Sequence, residues 1–400
     1  MVIQPLLLTL LAFQNASFIE QSIVSANEEI AKEPGKPDGY NDLAMAMVRK
    51  ERQTGDPSYL RLAESAIQKS LLAEPANFAA RRARVAVRLT QHRFEDALEE
   101  AEALRTLRPD DNPIYGFISQ AQIALGNYPA AEKAVQRMLD LRSVNGPGFE
   151  YGAIVREFIG FPGPAIDWWT SALHLVSDRD GEERAFIYSN MARIYRETGR
   201  YDAGAESAQR AFELEPDYPL ALLELARIRI EQKQPDAAAE LLRKRYAKCH
   251  DLESLYWLSA VGGKAGDAFE TQARAAATLP MNANALLIRY LAEHGKSAEA
   301  ISIAGDSLQR RPDLFTREAY AIALSKAGRN ADAFEQIKKA LEPGFQDAGL
   351  FFDAGVMAKA VNERGLAEGY FKKAFEMGVN GLYSSEILKQ LASLESPSPN

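Results

Sequence analysis

The chain holds one cysteine, Cys249, among 400 residues. It can form no internal disulfide and offers no cysteine-based metal site. A lone free cysteine of this kind reads as a small buried side chain. Histidine is almost as scarce: His92, His174, His250 and His294 lie far apart. None has a partner at the helical spacing of a metal site, and there is no His-Glu-x-x-His. No Gly-x-Ser-x-Gly occurs either. The stretch GGKAGD at 262–267 faintly resembles a phosphate loop, but it lacks the motif's earlier glycine. Ala265 also stands where a Ser or Thr would reach magnesium. A turn between two helices explains it better. NGPGFEYG and GFPGPA follow no strand pattern, so they read as turns rather than as a dinucleotide fingerprint. With no catalytic, metal or cofactor constellation, the chain is expected not to be an enzyme and to carry no cofactor.

Positive charge is also in short supply. There are 47 Lys and Arg against 55 Asp and Glu, a net charge of −8, and a pI near 5.4. A general nucleic-acid binder needs a basic face that displaces counterions from phosphate, so the acidic balance argues against that class, though not against a local basic groove. Long apolar runs are missing. The longest, Pro5–Phe13, is too short for a membrane span, which takes ~20 residues. It has the length of a signal-peptide core, and the small residues Ala16 and Ser17 follow it. No Lys or Arg precedes it, and Gln14 and Asn15 make a poor cleavage site. Two readings follow for residues 1–17. The favoured one is an export signal, placing the protein in a periplasm or at a cell surface. The other is an apolar first helix of a cytoplasmic protein.

What the chain has in abundance is one repeated pattern. In MARIYRETGRYDAGAESAQRAFELEP, Gly199 is followed by Tyr201, Gly204, Ala208 and Ala211. In LGNYPAAEKAVQRMLDL, Gly126 is followed at the same offsets by Tyr128, Ala131, Val135 and Met138. Pro75 and Pro109 are 34 residues apart, and Gly295 and Gly328 are 33 apart. A period of this size signals a helical solenoid. Ahead of Gly199, Ile187, Met191, Ile194 and Tyr195 fall at helical spacing. Gly199 then marks the helix end, where a positive φ is needed. Small residues let a second, antiparallel helix lie close, and a closing proline such as Pro216 stops it.

The pattern resembles the tetratricopeptide repeat. The matching residues are Tyr188, Met191, Ala192 and Tyr195, then Gly204, Ala208, Ala211 and Pro216. The unit near the C-terminus matches through Phe351, Ala354, Gly355 and Ala358, then Ala367, Phe371 and Ala374. The resemblance implies an all-α fold, a right-handed α–α superhelix of antiparallel helix pairs. About ten imperfect repeats cover residues 36–380. Residues 18–35 read as an N-terminal capping helix, 381–394 as a C-terminal one, and 395–400 as a disordered tail. The unit around 251–279 is degenerate, with a short second helix expected. SDRDGEE (177–183) reads as an insertion between units. Trp168, Trp169, Trp257 and most tyrosines sit at core spacings.

By the same resemblance, first helices line a concave face that holds a peptide or another protein. With the turn glycine as position 15, Arg193, Arg227 and Arg289 fall at position 9, and Glu197, Glu231 and Glu293 at position 13. Each pair reads most simply as an ordinary i,i+4 salt bridge, worth ~0.2–0.5 kcal/mol. However, Arg before Glu is the weaker order against the helix dipole. A second reading is a ladder of Arg donors gripping a partner's carboxylates, with Asn190 beside it at position 6. The carboxylate clamp of chaperone-binding relatives is absent, because Glu150, Ile154, Leu220 and Glu224 occupy its positions. The expected function is a scaffold or adaptor that binds a protein partner. Two other classes stay open: a hydrolase or transferase that uses its repeats to present a substrate, and a self-associating structural solenoid.

Overall fold

Ten residues in left-handed backbone conformation punctuate the chain at one structural position. Seven are glycines, at 55, 126, 160, 199, 262, 295 and 328, and three are His92, Lys233 and Asn362. Each follows a helix and reverses the chain into an antiparallel partner. The computed structural model describes residues 17–262, 264–277, 279, 284–378 and 381–395, all helix and connecting turn. The apolar run Pro5–Phe13 and nearly all of the 395–400 tail lie outside the described residues.

Among the described residues the first helix is α1 (Phe18–Lys32). Ten helix pairs follow. In order they are α2 (Asp38–Thr54) with α3 (Ser58–Ala73), α4 (Phe78–Thr90) with α5 (Phe94–Leu107), α6 (Asn112–Ala124) with α7 (Tyr128–Leu141), α8 (Gly146–Phe158) with α9 (Pro162–Leu175), and α10 (Gly181–Glu197) with α11 (Tyr201–Leu214). Then come α12 (Pro219–Glu231) with α13 (Pro235–Cys249), α14 (Leu252–Ala260) with α15 (Gly266–Ala277), α16 (Ala285–Glu293) with α17 (Ser297–Arg310), α18 (Leu314–Lys326) with α19 (Asn330–Leu341), and α20 (Ala348–Ala360) with α21 (Arg364–Met377). A last helix, α22 (Ser384–Glu395), closes the array. Most first helices pack on the first helix of the next unit, while second helices pack on first helices. First helices therefore line the inside of an α–α superhelix, as expected. In the weakest unit the expectation about lengths is corrected: the first helix is the short one, 9 residues, against 12 for the second. Of the GGKAGD stretch, residues 262, 264 and 265 lie in turn and Gly266 opens the second helix.

Each pair is held by small side chains at its contact line. Gly204, Ala208 and Ala211 are buried on α11, as are Ala97 and Ala101 on α5 and Ala367 and Ala374 on α21. Of the tryptophans, Trp169 is fully buried, whereas Trp168 and Trp257 are partly so. Ala211→Phe is expected to overpack the α10–α11 line and cost ~1–3 kcal/mol. A thermal or urea midpoint equal to wild type would show that this side chain does not face the partner helix.

The superhelix is wound so tightly that its turns touch. A Cβ on Gly126 would stand 2.8 Å from the Pro312 carbonyl oxygen, one on Gly160 2.3 Å from that of Gly344, and one on Gly199 1.5 Å from that of Met377. A Cβ on Gly55 would meet Cys249 Sγ. In each case the turn of one unit sits on the end of a second helix, or on the loop after it, that lies before the sixth first-helix position further on; for Gly199 that position is taken by α22. Glycine there serves both the positive φ and the close approach. Hydrogen bonds spanning 186 and 187 residues of sequence join the same turns: the Leu314 N–H donates to Tyr128 Oη at 3.1 Å, and Arg311 Nε to the Ala124 carbonyl at 3.3 Å.

The firmest inter-turn contact is ionic. Arg52 donates from Nε and Nη2 to Glu182 at 2.6 and 2.8 Å, and from Nη2 to Glu183 at 2.6 Å. Arg49 donates to Asp180 at 2.6 Å and to Glu182 at 2.9 Å. Tyr218 Oη donates to Glu182 at 2.9 Å. Three of these acids come from the segment the sequence marked as an insertion, which here forms the acceptor half of a clasp on α2.

Candidate functional site

The inner face is built from positions 5, 6, 9, 12 and 13 of successive first helices. Because those helices pack side by side, a residue late in one lies beside an earlier position of the next. Ion pairs therefore run between units. Arg193 lays its guanidinium fork on Glu157 of the preceding first helix, at 2.8 and 2.7 Å. Arg196 donates to Glu224 of the following one at 2.8 Å and to its neighbour Glu197 at 3.0 Å. Arg196, Glu197, Glu157 and Glu224 are all buried.

This corrects the i,i+4 reading at two of the three pairs. Arg193 is committed to Glu157 rather than to Glu197. Arg227 makes no ion pair among the described residues and lies 5.1 Å from the centroid of Trp257, a cation–π contact. Its expected partner Glu231 instead accepts from the Leu382 N–H at 3.1 Å and Tyr201 Oη at 3.4 Å. Only Arg289 and Glu293 pair within the helix, at 3.1 Å. Asn190 is buried and donates to the Phe186 carbonyl at 2.8 Å.

Charges on this face are not balanced locally. Arg289 stands 3.1 Å from Glu293, 3.6 Å from Glu318 and 3.8 Å from Asp353, so one guanidinium serves three carboxylates. Asp353 Oδ2 is buried and accepts no hydrogen bond. Burial lifts the Glu318 carboxyl to about 8, against the pull of Arg289 and with Asp353 adding to the rise. Burial likewise lifts Asp353 to about 6. Burial and the neighbouring Glu157 push Glu197 well above the carboxylate range. At Glu224 burial acts upward too, but Arg196 and Arg227 overrule it and hold the group below its ordinary value.

The sign for stability follows from proton binding. Near pH 6 the folded chain keeps a proton on Glu318 that the unfolded chain has lost. Stability is therefore expected to fall as pH rises between about 4.5 and 8. Glu318→Gln should flatten that fall in a series of thermal midpoints. An unchanged slope would mean the carboxyl is ionised throughout.

Cys249 is half-buried and burial raises its thiol to about 11, which leaves little thiolate at neutral pH. No group of three metal-ligating side chains occurs among the described residues, and no described helix is long and apolar enough to cross a membrane. Sequence reasoning found Arg193, Arg227 and Arg289 but missed Arg196, Glu157, Glu318 and Asp353. Aligning positions 5, 6 and 12 across units, as was done for 9 and 13, would have found them.

The family model of the tetratricopeptide repeat matches residues 83–146 and 189–249. Over those two stretches the chain carries tetratricopeptide repeats. Among solved structures, the tetratricopeptide-repeat array is similar to a chain of the APC/C hetero-tetramer Cut9–Hcn1, with a TM-score of 0.44 and 14% identity. That match covers 88% of this chain and 55% of the other, so the chain spans about half the length of that relative. It is also similar to PilW, a widely conserved type IV pilus biogenesis factor, with a TM-score of 0.40, 16% identity, and coverage of 50% of this chain and 94% of that one. A third likeness is to MamA, at a TM-score of 0.31 and 15% identity, covering 41% of this chain and 93% of the other. No curated protein matches the sequence.

Proposed function

We propose that this repeat array is a non-catalytic scaffold or adaptor that holds a protein or peptide partner on its inner face. The observation that carries the reading is Arg227. It lies half-buried on that face and makes no ion pair or hydrogen bond to a carboxylate among the described residues, acting on Glu224 only at longer range, while Arg193 and Arg196 are fully paired. A guanidinium stacked on an aromatic ring keeps its edge donors for a carboxylate. The group around Arg289, with three carboxylates on one guanidinium, has carboxylates to spare. A partner segment bearing both charges would satisfy both ends. Asn190, Arg193, Glu197, Glu231 and Glu293 frame this face.

The test is affinity capture from the native cell, read by mass spectrometry, with wild type beside Arg227→Glu/Glu293→Lys. Both side chains are partly exposed; Arg289 keeps Glu318 and Asp353, Glu224 keeps Arg196, and a wild-type thermal midpoint is required of the variant. A partner retained by wild type and lost by the double variant supports the reading; identical recovery on both sinks it. We also propose export to the periplasm or cell surface, on the strength of the apolar run Pro5–Phe13. An intact-mass measurement that finds residues 1–17 retained would overturn that.

A further inference from the structure

The outer layer carries a second feature that the inner-face reading does not use. A cleft of about 340 Å³ opens between α3, α4 and the turn that follows α4. Its floor is apolar, made by Ile67, Leu71 and Val87, and its wall includes Leu72. Leu72 is 77% exposed, more than any other large apolar side chain among the described residues. Packing of the array gives no reason for that exposure, since α3 already buries Leu60, Ala63, Ala66 and Ile67 against its neighbours.

The charged side of the cleft is unbalanced. Arg81, Arg84 and Arg88 all donate to one carboxylate, Glu100, at 3.1, 2.8 and 2.8 Å. Glu100 is buried, so three guanidiniums converge on a single fixed anion. Arg84 and Arg88 also line the cleft. Arg93 lies at its end, paired with Asp96. The acid on the facing helix, Glu64, accepts from Gln91 at 2.8 Å rather than from an arginine. One carboxylate cannot saturate three five-donor forks. The unmet donors stand beside an exposed leucine and an apolar floor.

We propose that this cleft is a docking site for a partner segment that places an apolar side chain next to Asp, Glu or a terminal carboxylate. The apolar side chain would cover Ile67, Leu71 and Leu72, and the carboxylate would take the free donors of Arg84 and Arg88. The apolar floor and the acidic chain as a whole favour such a peptide over a phosphate backbone. This surface lies outside the superhelix and is independent of the inner face.

The test is to pan the full-length chain against a phage-displayed random dodecapeptide library, then measure the enriched peptide, synthesised with a fluorophore, by polarisation. Enriched peptides are expected to carry Leu, Ile, Phe or Met beside Asp or Glu. Leu72→Asp is expected to weaken binding at least tenfold, as is Arg88→Gln, which leaves Glu100 two guanidiniums. Arg210→Glu, an exposed change on α11, controls for overall charge and should leave binding as it was. Changing the peptide's acids to amides should cost a similar factor. Enrichment of neutral or basic peptides, absence of enrichment, indifference to Leu72→Asp in a variant with wild-type thermal midpoint, or displacement of the peptide by oligouridylate at micromolar concentration would each overturn the proposal.

Discussion

Glu182→Ala is expected to loosen the superhelix at its N-terminal end and to cost ~3–5 kcal/mol, the scale for removing one partner of a buried ion pair. Glu182 is 2% exposed and takes hydrogen bonds from Arg49, Arg52 and Tyr218. Burial alone would raise its carboxyl, but Arg52 and Arg49 overrule it and hold the group below the ordinary range. Its contribution is therefore present above the unfolded carboxylate range near 4.5 and is lost as pH falls below it. Removing the carboxylate leaves Arg52 with Glu183 alone and Tyr218 without its acceptor. Because a solenoid unit contacts mainly its neighbours, the loss should stay local. Hydrogen exchange should quicken in α1–α3 and at the start of α10, with α18–α21 unchanged, and small-angle scattering should show a larger radius of gyration. Uniform quickening along the chain would mean that the clasp supports the whole array rather than one contact between turns. Unchanged exchange and size would mean that it is not formed in solution.

That clasp marks the boundary of what could be read from the letters. The offsets after Gly126 and Gly199 announced the helix pair, because each pair reuses one contact line and so one set of small residues. The left-handed position was legible at seven glycines, but at His92 and Asn362 no glycine advertises it. How one turn meets the next depends on a rotation accumulated over four to six units. No local pattern in Gly160 and Gly344, or in Arg52 and Glu182, records that sum. SDRDGEE looked like spacing between repeats for the same reason. At the inner face the arginines were found and their partners were not. Spacing within one helix suggests Arg193 with Glu197, while helix-to-helix packing brings up Glu157. Glu100 gathers Arg81, Arg84 and Arg88 across the α4–α5 contact, and spacing within α4 names no acceptor for them.

The inner face yields the second large effect. Arg196→Met should cost ~3–5 kcal/mol, because it strands Glu224 and leaves Glu197 without its guanidinium. The cost should shrink at low pH. Arg196 is the largest of the positive charges, with Arg227 next, that hold Glu224 below its ordinary value despite burial, so without it burial gains the upper hand and the carboxyl shifts upward and takes a proton more readily. The folded variant then binds a proton that its unfolded chain does not, and its stability declines as pH rises through and above the carboxylate range. Wild-type Glu224 has the opposite slope at the acid end, since its depressed pKa adds stability as pH climbs past that of the unfolded chain. The double variant Arg196→Met/Glu224→Leu should recover most of the loss at pH 7, because an apolar pair of similar size carries no stranded charge. Urea midpoints for the four members of this cycle at pH 5 and pH 7.5 decide it. If the double variant is no more stable than Arg196→Met, the fork is not the link between these two helices, and the inner face is held by the packing of Leu222, Ala226 and Ile228 on α12 instead. If recovery is complete, stability gives no reason for an ion pair at this place. The buried charges of the inner face would then be explained by what the face binds.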